Sequence, residues 1–257
     1  MMTPMCPVCG GTSRDGFSSR YVDVVRCVAA DCGHLFAANV SADHGVQSRG
    51  DEYSAAFDRR NSRLIRYWKR QGFLPPESRV LDVGAGLGHV AAAVRQSMVN
   101  GSVCCVEPDE ASRTRLADRG FEAKSSLGDC AGEFTSIILL EVIEHVSDPV
   151  AFLRQCRNLM ASNGRAFMTT PCGETRRGSR ATNAYDTPEH VQFFTEKSLA
   201  LACRHAGLTI EQFRSVSAMY PRSTGVRRVA SFAKDLARPV RDSLLGTHHL
   251  VCFATPS

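Results

Sequence analysis

The stretch that decides the fold is Val80-Leu81-Asp82-Val83-Gly84-Ala85-Gly86-Leu87-Gly88-His89. A short apolar run carrying one acid opens into three glycines at alternate positions. That pattern predicts a strand, a backbone-only binding loop and then a helix. Glycines let the main chain approach a ligand closely, and the first turn of the helix presents free N–H groups to it. A dinucleotide site has G-x-G-x-x-G, with a small third residue for helix–strand packing. Here the spacing is G-x-G-x-G and His89 occupies the third small position, which disfavours a pyrophosphate ligand. Glu107 ends the next apolar run, 19 residues after Gly88, where a carboxylate can accept both hydroxyls of a ribose.

Around this loop the sequence alternates strand and helix. Strands are expected at 79–83, 102–107, 121–126, 136–141 and 165–169. Helices are expected at about 88–98, 109–119 and 148–160. A further helix at about 195–206 leads to strands at 208–217 and 248–254. Such βαβ alternation predicts a doubly wound, mostly parallel seven-stranded α/β sheet with helices on both faces. The expected division is a Cys-rich segment at 1–38, a linker and helix at 39–78, and the main domain at 79–257.

Four stretches together resemble one family. They are V-L-D-V-G-A-G-L-G-H, V-C-C-V-E-P-D, I-I-L-L-E-V-I-E-H-V and G-R-A-F-M-T-T-P. Over roughly residues 50–257 their order and spacing are similar to class I S-adenosylmethionine-dependent methyltransferases, a Rossmann-like methyltransferase fold. The resemblance implies that Gly84, Gly86 and Gly88, with Asp82, hold the methionine end of S-adenosylmethionine. It implies that Glu107 holds the ribose, that Leu127 and Gly128 border the adenine, and that Glu141 borders the cofactor at the end of the fourth strand. Tyr53 matches a position where relatives often carry a cofactor-facing aromatic. One departure is Phe134-Thr135, where relatives often read Phe-Asp ahead of the fourth strand.

Glu141, Glu144 and His145 follow that strand, and ligands of doubly wound sheets lie beyond the carboxyl ends of the strands. In a helical turn these three residues share one face through i, i+3, i+4 spacing. His190, in P-E-H-V-Q-F-F-T, follows the fifth strand and is placed to close over the same pocket. Three readings stand side by side. His145 or His190, with Glu144, acts as a general base toward an acceptor hydroxyl. Alternatively, Glu141, Glu144, His145 and His190 bind Mg2+ or Mn2+, which lowers the pKa of that hydroxyl. This set is similar to the metal constellation of small-RNA 2′-O-methyltransferases and of some ubiquinone-biosynthesis O-methyltransferases. In the third reading the acids cap the next helix and the histidines are buried and satisfied.

The N-terminal segment carries Cys6-Pro-Val-Cys9 and Cys27-Val-Ala-Ala-Asp-Cys32, each pair followed by a glycine. Two such knuckles point four thiolates at one structural Zn2+, giving a zinc ribbon, with His34 the alternative to Cys32 as fourth ligand. The segment is too small to fold on its own core, so metal is expected to supply its stability. Ribbons ahead of such a domain resemble bacterial enzymes that modify sugars and small metabolites, and a ribosomal RNA guanine methyltransferase group. The E-V-I-E-H segment is closer to the first.

The chain of 257 residues has eleven cysteines and a net charge of +5. The first residues show neither a basic n-region nor an apolar h-region, and no apolar run reaches membrane-spanning length. Several cysteines lie inside apolar strand-like runs, so a reducing cytoplasm is expected. Residues 54–71 form a basic helix with Arg59, Arg60, Arg63, Arg66, Lys69 and Arg70. Residues 219–246 mix arginines with Val229, Phe232, Leu236, Val240 and Leu244, an amphipathic pattern suited to a pocket lid or a peripheral membrane contact. Exposed aromatics are few beyond Tyr67 and Trp68, which weighs against single-stranded RNA. The expected activity is O-methylation of a small molecule or saccharide, with phosphate- or lipid-linked acceptors included. The rivals are a metal-assisted RNA 2′-O-methyltransferase and a non-catalytic cofactor-binding protein.

Overall fold

The strand that begins the glycine stretch lies at the middle of a seven-stranded sheet. The computed structural model describes residues 4–38, 54–174, 182–185, 188–216 and 249–257. Tyr53 and residues 219–246 lie outside the described residues. In chain order the elements are β1 (Ser13–Ser18), β2 (Asp23–Cys27), β3 (Leu35–Ala37), α1 (Ser54–Arg70), β4 (Arg79–Val83), α2 (His89–Ser97), β5 (Ser102–Val106), α3 (Glu110–Asp118) and β6 (Glu122–Lys124). They continue with β7 (Phe134–Leu140), α4 (Pro149–Asn158), β8 (Met160–Pro171), α5 (Thr182–Tyr185), β9 (Gln192–Phe193), α6 (Glu196–His205), β10 (Leu208–Val216) and β11 (His249–Pro256).

The large sheet runs β10-β11-β8-β7-β4-β5-β6. β4 pairs in parallel with β5 and β7, and only β11 runs against its neighbours. The chain winds outward from β4 to β6 and then returns to the other side of β4. The order therefore reverses between β4 and β7, where a doubly wound sheet opens its ligand crevice. Successive β7 side chains serve opposite faces. Ile137 and Leu139 join the core under α4 and α6, while Ile138 joins the core under α1, α2 and α3.

The predicted elements are present, with shifted ends. Thr135, the departure from the family pattern, joins the start of β7 to the start of β4. Its hydroxyl accepts from the Arg79 backbone N–H at 3.0 Å and donates to the Arg79 carbonyl at 3.2 Å. Trp68 and Tyr67 of α1 belong to the core instead of an exposed face. Trp68 is fully buried against Phe73 and Phe167, and Tyr67 leans on Phe167 and Phe253. Arg63, Arg66, Lys69 and Arg70 lie on the exposed side of that helix.

The Cys-rich segment is not a separate bead. Its hairpin, β1 and β2, pairs on through β3 to β9, which comes from the main domain. Cys6, Val8, Val25, Cys27, Cys32 and Phe36 share one continuous core with Leu199, Ala202 and Cys203 of α6. A short hairpin cannot bury its own apolar side, so it borrows cover from the larger domain.

Candidate functional site

The glycine loop has the backbone its residues predict. Gly84, Gly86 and Gly88 all have positive φ, at 70°, 52° and 74°. They differ in what surrounds them. A Cβ on Gly84 would come within 2.6 Å of Val142 Cγ2, and one on Gly88 within 2.5 Å of Leu116 Cδ2. One on Gly86 would meet nothing within 4 Å. Gly84 and Gly88 are therefore packing glycines, and Gly86 faces open space.

Glu107 braces this loop. Buried just past β5, it accepts from Gly86 N–H at 2.7 Å through Oε2 and from Asp109 N–H at 3.0 Å through Oε1. Asp82 sits beneath the loop and is also buried, and its Oδ2 has no hydrogen-bond partner. Burial, with the charge of Glu107 adding to it, pushes the Asp82 carboxyl up to about 7. A buried acid with one oxygen unpartnered beside an open glycine fits a ligand that brings a cationic donor. Leu127 and Gly128 lie on a 3-10 turn, Leu127–Asp129, fixed by a reciprocal cap between Ser126 and Asp129. Leu127 is buried. Asp129, which the sequence reading missed, holds that turn.

The E-V-I-E-H segment differs from its expected form. It makes a 3-10 turn over Ile143–His145 instead of an α-helix, and Glu141 precedes it with φ at 55°. Glu141 is the only non-glycine residue with positive φ among the described residues. The i, i+3, i+4 face belongs to α-helical geometry, so the side chains are brought together by the 3-10 turn and its neighbours instead. Glu141 turns instead to two neighbouring strands. It accepts from Thr169 Oγ1 at 2.7 Å, and its other oxygen is 3.2 Å from His249 Nε2. Neither Thr169 nor His249 was singled out from sequence, because only the β7–β8–β11 order brings them beside Glu141.

Glu144, His145 and His190 do converge, with their ligand atoms all within 4.8 Å of one another. Glu144 is buried, and neither carboxylate oxygen makes a hydrogen bond of normal geometry. Burial and the nearby Glu141 push its carboxyl well above the usual range. Each histidine gives its Nδ1–H to a backbone carbonyl, His145 to Glu189 at 3.1 Å and His190 to Ala184 at 2.9 Å. In the neutral ring this leaves the lone pair on Nε2. Burial lowers His190 to about 4, so its ring is neutral near pH 7. A buried carboxylate with unpaired oxygens and two oriented imidazoles is a donor set that suits a divalent cation.

The four N-terminal thiols also gather, with all Sγ atoms within 4.8 Å. Cys6 and Cys32 are 3.7 Å apart, and Cys9 and Cys27 are 3.4 Å apart. Tetrahedral zinc with bonds of about 2.3 Å separates its sulfurs by about 3.8 Å. Gly10 and Gly33 have positive φ, and Gly11 N–H points at Cys9 Sγ, as a thiolate knuckle requires. The alternative ligand His34 is engaged elsewhere. Fully buried, it bonds Ser198 Oγ at 3.1 Å and Gln192 Oε1 at 2.9 Å.

Comparison with known proteins agrees with this architecture. The family model described as a methyltransferase domain matches residues 43–212. A ubiquinone biosynthesis O-methyltransferase of Caulobacter sp. (strain K31) is 32% identical over 103 residues, covering 36% of this chain and 40% of that protein. The chain thus spans less than half the length of this curated relative. Among solved structures, a SAM-dependent methyltransferase from Archaeoglobus fulgidus superposes with a TM-score of 0.54 at 16% identity, covering 79% of this chain and 99% of that one. The [4+2]-cyclase SpnF superposes with a TM-score of 0.57 at 17% identity, covering 82% of this chain and 84% of that one. At these identities the likeness is one of fold, and the cyclase shows that the fold alone does not name a reaction.

Proposed function

The chain belongs to the methyltransferase-domain family, and from that premise we propose that it methylates a hydroxyl oxygen of a small molecule from S-adenosylmethionine. In this reading a divalent cation assists at Glu144, His145 and His190. The observation that carries the reading is the convergence of Glu144, with both oxygens unpartnered, on two imidazoles at the carboxyl end of β7. The relatives named ubiquinone biosynthesis O-methyltransferase support an oxygen acceptor.

When bound, S-adenosylmethionine would supply a methyl group from its sulfonium: an oxygen–carbon bond replaces the sulfur–carbon bond, the sulfonium leaves as a neutral thioether, and the hydroxyl proton passes to solvent water. The chain's share of this chemistry is alignment and charge. Gly86 would leave room for a ligand against the backbone, and Glu107 would accept ribose hydroxyls. Asp82 would accept from the ammonium of the methionine end, which returns its carboxyl to the charged form. Leu127 and Gly128 would border the adenine. A bound Mg2+ or Mn2+ lowers the pKa of a hydroxyl next to it. Glu144 would supply its anionic ligand, and the two Nδ1 bonds would keep His145 and His190 aimed through Nε2. Cys6, Cys9, Cys27 and Cys32 hold a structural Zn2+ in the same reading.

The test incubates the purified chain with methyl-labelled cofactor and separate pools of small hydroxylated molecules, saccharides, lipid-linked molecules and RNA. Label is expected in the small hydroxylated pool, lost with a chelator that leaves the zinc content intact and restored by Mg2+ or Mn2+. Label confined to RNA, or transfer that survives both chelation and Glu144→Gln, would overturn the proposal.

A further inference from the structure

The Cys-rich ribbon and the Glu144–His145–His190 cluster meet through three consecutive residues. His190 belongs to the cluster. Val191 follows, giving its N–H to the Glu144 carbonyl at 2.8 Å and accepting from Ala37 N–H of the ribbon at 2.9 Å. Gln192 comes next, on β9, opposite Phe36 of β3. One residue of backbone thus joins the ribbon to the carboxylate-bearing turn.

The Gln192 side chain repeats the connection. It is buried, and its Nε2 donates to the carbonyls of Val146 at 2.9 Å and Ser147 at 3.2 Å, directly after His145. Its Oε1 accepts from His34 Nε2 at 2.9 Å. The proton count admits one arrangement. Two carbonyl acceptors require the amide nitrogen on their side, so Oε1 must face His34. His34 then carries its proton on Nε2, and its Nδ1 accepts from the Ser198 hydroxyl. His34 is itself held two residues from Cys32, against Phe36 and Phe194.

We propose that Gln192 is a positioning residue, through which the four-cysteine ribbon sets the orientation of His145 and His190. The role of the positioned cluster rests on the function proposed above, whereas the positioning itself does not. A ribbon that served only its own stability would have no use for a buried amide reaching two carbonyls of the acceptor-side turn. Every donor and acceptor named in the Gln192–His34–Ser198 chain is matched, and such fully matched buried networks fix one geometry.

The test compares the full chain, zinc loaded, with Gln192→Glu and His34→Phe. Glutamate keeps an acceptor for His34, but its carboxylate has no donor for the two carbonyls. Phenylalanine keeps the ring packing and removes both hydrogen bonds. Three readouts are taken: zinc per chain, the 15N imidazole signals of His145 and His190 (assigned with single His→Gln variants), and kcat and KM separately. Both variants are expected to retain zinc and cooperative unfolding while moving both imidazole signals. Gln192→Glu is expected to lower kcat by about tenfold or more, as loss of an outer support does at such centres, with KM changed less than about twofold. If Gln192→Glu does not fold, His34→Phe decides by the same signals. Folded variants with unmoved His145 and His190 signals would overturn the proposal. A wild-type chain without methyl transfer, whose imidazole signals still move in the variants, would overturn the proposed function and leave the positioning role standing.

Discussion

Glu107 Oε2 accepts the Gly86 backbone N–H at 2.7 Å, so the acid at the end of β5 holds the only loop glycine that faces open space. The carboxylate is both a brace for the loop and a ribose acceptor in the proposed site. Glu107→Ala removes two charge-assisted bonds, each worth about 1.5–3 kcal/mol. Calorimetry with S-adenosylhomocysteine is expected to show affinity falling by about tenfold or more. Unchanged affinity in a folded variant would remove Glu107 from the site.

The three glycines are expected to separate when each is changed to alanine. Gly84→Ala and Gly88→Ala collide with Val142 and Leu116, and overpacking of this kind costs about 1–3 kcal/mol on top of the left-handed backbone. Both should lower the melting temperature markedly. Gly86→Ala meets no atom, so it should cost only the backbone term of about 1 kcal/mol yet lose cofactor binding. Thermal unfolding and calorimetry on the three variants check the order.

Asp82 gives a pH prediction with a definite sign. Its folded carboxyl is pushed up to about 7, above the ordinary carboxylate value. Between about pH 4 and pH 7 the folded state therefore binds the extra proton, and the stability this lends is lost as pH rises through about 7. The ligand-free chain should be more stable at pH 5 than at pH 8, as far as this group is concerned. Asp82→Asn should raise the melting temperature at pH 8, with little change at pH 4, while weakening cofactor binding. A variant that lowers the melting temperature at pH 8 would contradict the burial argument.

Glu144→Gln should separate stability from activity. Burial already holds the Glu144 carboxyl well above its usual range, so a neutral amide in its place should change the stability of the metal-free chain little near neutral pH. The same change should lower Mn2+ affinity and kcat by about tenfold or more. Differential scanning calorimetry, metal titration and kinetics read the three effects.

The ribbon should carry one zinc per chain. Cys9→Ser or Cys32→Ser should abolish stoichiometric binding and destabilise the fold, whereas His34→Phe should keep it. Elemental analysis of the purified variants distinguishes Cys32 from His34 as fourth ligand.

The parts legible in the sequence are those written in local periodicity. β4, β5, β7 and β8 are apolar runs because a central parallel strand is covered on both faces. The knuckle cysteines were legible through their spacing. The backbone at Glu141 was not legible because nothing local signals a left-handed glutamate, and its partners Thr169 and His249 come from strands that are neighbours only in the folded sheet. β9 is two residues long, too short for any period, and its pairing with β3 depends on tertiary packing alone. Thr135 shows the converse case, a departure from a familiar pattern whose hydroxyl serves both the N–H and the carbonyl of Arg79.

The sheet that joins β3 to β9 also has a bearing on biosynthesis. β1 to β3 leave the ribosome before β9, and this fourth strand of their sheet is made only when residue 192 has been added. At about 5–20 residues per second that interval is roughly ten to thirty seconds. Throughout it β3 presents a bare edge, and the thiols have no covering helix. Early capture of a metal by the nascent chain would hold the hairpin together until its partner strand arrives. For a chain that binds zinc as proposed, the supply of zinc at the exit tunnel would then bear on how much of it reaches the native state.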